Sequence, residues 1–275
     1  MKYTILFIFC LICSSSKFVA QQHDTYELKP KTEAWITGAT LPLTGLSIVL
    51  DKKLKPLTSE QIALLDAEDV NAIDKSTTDR FNLKVAHRSD WTLNSSIGSG
   101  FISNFIAPAI YPTEAGYGKQ MTTLGIIWLE TNLVNYTLTE LSKTIVKRSR
   151  PYLYGNGAPE ELKLKVDSRK SFFSGHTSFT AANSFYIANI ITGHQKYNQW
   201  NPVIWGVASL PPLLVAIQRV RAGKHFPTDV AVGYLVGAAC GILIPKLHET
   251  DPLMIKGSNG TKKMQVPFFS LKMIF

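Results

Sequence analysis

"QRVRAGKHFPTDVAVGYLVGAACGILI", residues 218–244, sets Arg219, Arg221, Lys224, His225 and Asp229 at the mouth of an apolar run. Such a run suits lipid or a buried core. Positive charge gathered at its entrance is either a solvated helix cap or a holder for something strongly anionic. His225 and Asp229 stand four residues apart. An acid at that spacing accepts the ring N–H, which fixes the tautomer and leaves the other nitrogen free to react.

Two other stretches carry related chemistry. In "KTIVKRSRP", 143–151, Lys143 and Arg150 lie two helical turns apart and share a face if the helix runs on to Pro151. Alone, a cationic last turn answering the helix dipole accounts for that stretch better. In "FFSGHTSF", 172–179, Ser174 is placed to cap a helix and Gly175 lets an anion approach the backbone. His176 then falls in the first turn, although a packed core histidine is the blander explanation.

In this order the three stretches resemble the signature of the type 2 phosphatidic acid phosphatase superfamily, which also holds bacterial acid phosphatases and vanadium haloperoxidases. The matching positions are Lys143, Arg150-Pro151; Ser174-Gly175-His176; and Arg219, His225, Asp229. Two positions depart from the pattern. Phe173 stands where the family has proline and Gln218 where it has serine, and neither must carry charge or a proton. Arg221 is a neighbouring arginine, but only Arg219 has the family's spacing to His225. The resemblance spans about residues 120–245.

The resemblance implies an all-α fold, a helical bundle of about six core helices. It also implies a phosphatase for a phosphomonoester or diphosphate. Lys143, Arg150, Arg219 and the backbone near Ser174 and Gly175 bind the phosphoryl oxygens. His225 attacks phosphorus to give a phosphohistidine with Asp229 holding its ring, and His176 protonates the leaving oxygen and then activates water. No cysteine, histidine or carboxylate cluster has metal-ligand spacing, so neither a metal nor another cofactor is expected. The expected partners are a phosphorylated lipid or small phosphoester, and membrane lipid. A nucleic-acid binder would spread basic residues and aromatics over one face, whereas these cations converge on three helix ends. A haloperoxidase, a soluble acid phosphatase of the envelope and a non-catalytic phosphate binder are the alternatives.

The chain has 275 residues, net charge +9, 45% hydrophobic and 18% charged residues, and a mean hydropathy of +0.05. Charged residues are sparse against the usual quarter. "MKYTILFIFCLICSSSKFVA" reads as a secretory signal peptide over 1–20, with Lys2 ahead of a short apolar run. Cys10 and Cys13 belong to it, so Cys240 alone remains and no intrachain disulfide forms in the exported chain. The expected location is the cell envelope, with the active site on the periplasmic or outer side.

The chain divides into the signal peptide, an N-terminal helical extension over 21–97, a catalytic domain over 98–247 and a tail over 248–275. Helices are expected at about 98–112, 120–142, 174–192, 201–217 and 230–245, and a capped amphipathic helix over "LTSEQIALLDAEDVNAIDK", 57–75. The acids of that last helix, Asp66, Glu68, Asp69 and Asp74, read as a solvated face. Pro42 weakens 35–50 as a membrane crossing, and Glu130, Asn132 and Asn135 weaken 120–142.

Overall fold

The computed structural model describes residues 24–195 and 198–250, so the signal peptide expected over 1–20 and the chain from 251 onward lie outside the described residues. Seven helices carry the architecture: α1 (Pro30–Lys53), α2 (Leu83–Ile110), α3 (Tyr117–Val146), α4 (Gly175–His194), α5 (Asn201–Ala208), α6 (Leu210–Arg221) and α7 (Pro227–Leu247). With α5 and α6 nearly continuous, these make six long rods. Among the described residues there is no strand, only an isolated antiparallel bridge between Tyr26 and Glu249.

Close helix approach sets the geometry of α4 against α7. Gly233, Gly237 and Gly241 of α7 lie in turn on Ser174, Ser178 and Ala182 of α4. A Cβ at Gly237 would fall 2.0 Å from the Ser178 carbonyl oxygen, and one at Gly241 2.3 Å from that of Ala182. Small residues every fourth position allow that spacing. The contacts advance together along both chains, so the two helices run parallel. Their N-termini, the positive ends of two helix dipoles, therefore open at the same end of the bundle.

α3 runs antiparallel to α4, since Trp128 and Asn132 reach Asn183 while Asn135 reaches Ser178. This brings the end of α3 to the start of α4. α2 runs parallel to α4, with Asn104 bonded to the Tyr186 hydroxyl and Asp90 bonded to His176. α1 packs against α3, and Thr44 and Thr137 share a hydrogen bond of 2.6 Å.

Many polar side chains share the interior with a small apolar cluster around Leu124, Ile127, Tyr186 and Ile190, while the outside is largely apolar, unlike a water-soluble bundle. Asn104, Thr131, Asn135, Asn183 and Asn189 are buried, whereas Leu46, Phe101, Leu129, Val207, Leu213 and Leu235 are exposed. The polar residues expected to weaken 120–142 as a crossing point inward: Glu130 and Asn135 are buried, and Asn132 bonds Asn183. α1 is likewise unbroken across Pro42, which costs one ladder bond but leaves the outer face apolar. Three helices, Pro30–Lys53, Asn201–Arg221 and Pro227–Leu247, are long and apolar enough to cross a membrane.

The helix expected over 57–75 is confined to Ser59–Ala63, with the Thr58–Gln61 capping box in place. Past it, short polar side chains compete for the backbone. Asp66 accepts the Glu68 N–H, and Asn71 accepts those of Ile73 and Asp74, which turns the chain instead of extending the helix. Asp74 is not on a solvated face; it is fully buried. The domain boundary expected between 97 and 98 falls inside α2.

Candidate active site

The convergence of α3, α4, α6 and α7 at one end gathers the residues singled out in the sequence. Ser174 is the N-cap of α4; its Oγ accepts from the Thr177 N–H at 3.4 Å. Its own N–H donates to the Asp229 carbonyl at 3.1 Å, which ties the starts of α4 and α7 together. Lys143, in the last turn of α3, pairs with Glu140 at 2.7 Å. Its Nζ lies over Gly175, where an added Cβ would stand only 3.3 Å away. A glycine here keeps the backbone open to the ammonium group.

Arg150 reaches the site by a route the spacing did not suggest. α3 ends at Val146 and Lys147 takes a left-handed conformation, φ 53°. Lys143 and Arg150 therefore do not share a helical face, and Arg150 comes from the extended segment before Pro151. Its guanidinium is buried and four of its five N–H groups are engaged. Nε donates to the Asp167 carbonyl at 2.8 Å, Nη2 to the Asp167 carboxylate at 2.8 Å, and Nη1 to the Lys224 carbonyl at 2.7 Å. Nη1 also stands 3.2 Å from His225 Nε2.

His225 is 2% exposed. Its Nδ1 lies 2.7 Å from the Ser171 carbonyl, which only accepts, so Nδ1 carries the hydrogen and Nε2 keeps its lone pair. Asp229 does not take this N–H directly, as expected from the four-residue spacing; its Oδ2 stands 3.8 Å from Nδ1. That oxygen accepts from the Ser171 hydroxyl at 2.5 Å and the Phe226 N–H at 2.9 Å, and Oδ1 accepts from Arg148 at 2.5 Å. Because Asp229 begins a helix, its carboxylate turns back to cap that helix. It holds the histidine through Ser171.

Arg219 is buried on α6 while Arg221 is exposed. Arg219 Nη1 donates to Ser89 Oγ at 3.1 Å and lies 3.5 Å from Asp90, and its buried Nε has no hydrogen-bond partner. A desolvated guanidinium N–H without an acceptor is costly unless an anion completes it. His176, in the first turn of α4, lies 2.8 Å through Nε2 from Asp90 Oδ1.

The sequence reading passed over several neighbours. Asp90 comes from α2, outside the motif region. Buried Asp74 pairs with half-buried Arg148 at 2.7 Å, and Arg148 also bonds Thr228 and Asp229. Gly223 adopts φ 69°, and a Cβ there would fall 1.6 Å from the Arg80 carbonyl oxygen, so the turn between Arg219 and His225 admits only glycine. The positive φ and the close approach both follow from tertiary packing, and no spacing rule announces them.

Burial, reinforced by Arg150, Arg219, His176 and Lys143, pushes the His225 pKa well below the usual imidazole value. Its ring is neutral throughout the physiological range. Burial also lowers Lys224 to about 8, helped by Arg150 and Arg219. Its ammonium sits 5.0 Å over the Tyr152 ring. A neutral buried imidazole whose Nε2 lone pair accepts from Arg150, ringed by cations, is placed to meet an anionic electrophile.

Residues 124–252 match the PAP2 superfamily. This segment is a PAP2 superfamily domain. The chain is 25% identical over 135 residues to an undecaprenyl-diphosphatase of Sulfolobus acidocaldarius, covering 49% of this chain and 60% of that one. It is 27% identical over 192 residues to phosphatidylglycerophosphatase B of Bacillus subtilis, covering 68% of this chain and 91% of the relative. It is 30% identical over 111 residues to a decaprenylphosphoryl-5-phosphoribose phosphatase of Mycobacterium tuberculosis, covering 40% and 54%. The chain thus spans 60% of the first of these relatives and little more than half of the third. No solved structure matches it significantly. The PAP2 domain contains every residue of the three stretches, whereas Asp74, Ser89 and Asp90 precede it.

Proposed function

We propose that this chain is a membrane-embedded phosphatase that hydrolyses a lipid phosphate or diphosphate through a phosphohistidine on His225. The observation that carries the reading is His225 itself: Nδ1–H is held by the Ser171 carbonyl and the Nε2 lone pair faces Arg150. The Nε2 lone pair forms the N–P bond as the bond from phosphorus to the leaving oxygen breaks. His176 gives that oxygen its proton. Water then attacks phosphorus, loses a proton to His176, and the N–P bond breaks to release phosphate. Lys143, Arg150, Arg219 and the backbone at the start of α4 take the charge that spreads over the equatorial oxygens. These cations do what a metal ion does in other phosphatases, so turnover is expected to need no metal at this site.

The apolar exterior supports a lipid substrate, since it places the anion site at the end of a bundle fit to sit in a bilayer. The relatives named above point the same way by their substrates. The site opens on the outer side of the membrane. Rapid quenching of the detergent-purified chain with a 32P-labelled polyprenyl diphosphate or phosphatidate should trap an acid-labile, base-stable phosphoprotein. His225→Ala should lose both adduct and turnover. Fast turnover without an adduct, or activity surviving in His225→Ala, points to direct attack by water and overturns the assignment.

A further inference from the structure

We propose that Glu33, Glu130 and His248 form a binding site for one divalent transition-metal ion, separate from the phosphate site. The three come from distant parts of the chain: the first turn of α1, the middle of α3 and the cap of α7. One ligand atom from each lies within 4.8 Å of the others.

His248 is fully buried and its Nδ1 lies 2.9 Å from the Ile244 carbonyl. A carbonyl only accepts, so Nδ1 carries the hydrogen and Nε2 is aimed at the carboxylates. This is the arrangement in which a backbone oxygen orients a metal-binding imidazole. Nε2 stands 2.9 Å from Glu33 Oε1 and 3.2 Å from Glu130 Oε2. Ligands about 2.0–2.1 Å from a tetrahedral zinc ion are separated from each other by about 3.3 Å, so Nε2 already stands near coordination-shell spacing from each carboxylate.

Two further observations call for a cation there. Glu130 Oε2 is buried and has no hydrogen bond, an expensive state for a carboxylate oxygen. Charge balance is the other. With both carboxylates ionised, a neutral imidazole leaves two negative charges, which a divalent ion cancels; an imidazolium alone leaves one, unless the two acids share a proton. An imidazole with two carboxylates suits Zn2+ and its first-row neighbours better than Mg2+ or Ca2+, which favour all-oxygen shells. Glu33 is partly exposed and gives the ion an entry path.

The site lies 13 residues before Lys143 on α3, about 20 Å along the helix axis. Its consequence is therefore structural. The ion clamps the start of α1 and the end of α7 onto α3, where Glu27 N–H already bonds the His248 carbonyl at 2.9 Å.

The test uses the full-length chain in detergent, stripped by chelator and dialysed against Zn2+, Co2+ or Mg2+. Zn2+ should bind at one equivalent per chain and raise the thermal midpoint, and Co2+ should give visible d–d absorption. Mg2+ should do neither. Glu130→Gln and His248→Gln should each weaken Zn2+ binding at least tenfold and abolish the thermal shift. Glu33→Gln, at the exposed rim, supplies the same comparison should a buried variant fail to fold. His225→Ala should still bind Zn2+, which separates this site from the phosphate site and its failure from that of the phosphohistidine reading. Absence of stoichiometric Zn2+ uptake by the folded chain would mean a protonated His248 bridges the two acids with no ion. Uptake that persists in the Glu130, His248 and Glu33 variants places the ion elsewhere. Either result overturns the proposal.

Discussion

At the scale of single residues, the site combines fixed spacings with contacts no spacing reveals. His176, Arg219, His225 and Asp229 were legible because a helix start and a short turn hold them at set intervals. Asp90, Asp74 and Arg148 were not, since each enters through tertiary packing of a segment with no signature of its own. Two arginines two residues apart test the register. Arg219→Ala should lower kcat about 100- to 1000-fold, the usual cost of removing one preorganised donor to developing charge. Arg221→Ala, on the exposed side, should change it less than about threefold; equal losses would mean the wrong arginine has been assigned. Lys224 adds a pH dependence. With its pKa lowered to about 8, it is cationic below that pH and neutral above it. An anionic substrate favours the cation, so kcat/KM of the free enzyme should fall as pH rises through about 8. His225 is already neutral at pH 7 and contributes no acid limb near there. Lys224→Met should abolish the alkaline limb and hold kcat/KM at its high-pH level. An unchanged limb assigns the titration to another group.

At the scale of elements, helix existence was legible and helix termination was not. Apolar runs marked α2, α3, α4 and α7, but α2 starts 15 residues before the expected 98, and the other ends shift by up to four residues where caps or turns decide. Pro42 was expected to weaken 35–50 as a crossing, yet the helix runs through it, because a single lost ladder bond is small beside a 24-residue helix packed along α3. Asp66 was read as helix surface, yet its side chain and that of Asn71 divert the backbone. The approach of α4 to α7 is the element-scale feature on which catalysis rests. Gly237→Val should force the two helices apart at the Ser178 carbonyl and shift Ser174 relative to Asp229. Loss of most activity with a markedly lower thermal midpoint is expected, because overpacking against backbone cannot be relieved by a rotamer change. Gly125→Ala, on α3 with nothing within 4 Å, should leave activity intact and the midpoint equal or slightly higher. Tolerance of valine at 237 would show that the close approach does not position the site.

At the scale of the whole molecule, helix directions fix which loops share a face. α1 and α3 run toward the phosphate site, α2 and α4 away from it, α6 toward it and α7 away. The segments 54–82, 147–173 and 222–226 therefore lie at the site end. Residues 24–26, the 111–116 turn, the end of α4 and residue 250 lie at the other end, joined by the Thr250–Thr25 and Ala115–Asp24 hydrogen bonds. The sequence could not settle this, because counting crossings requires knowing which polar residues face inward. If the bundle crosses a membrane, the two ends face opposite compartments, and residue 24 is separated from the site by the three rods α1, α2 and α3. An outer-facing site then keeps residue 24 inside, and export of residue 24 turns the site inward. Single cysteines at Asn156 and at Thr113, in a chain with Cys10, Cys13 and Cys240 replaced by alanine, distinguish these arrangements by labelling sealed cells with an impermeant maleimide. Asn156→Cys should be labelled and Thr113→Cys protected until lysis. The reverse pattern would move the active site to the inner face and restrict its substrates to that leaflet. Labelling of both would mean that the bundle does not cross, and the apolar exterior would then need another partner to cover it.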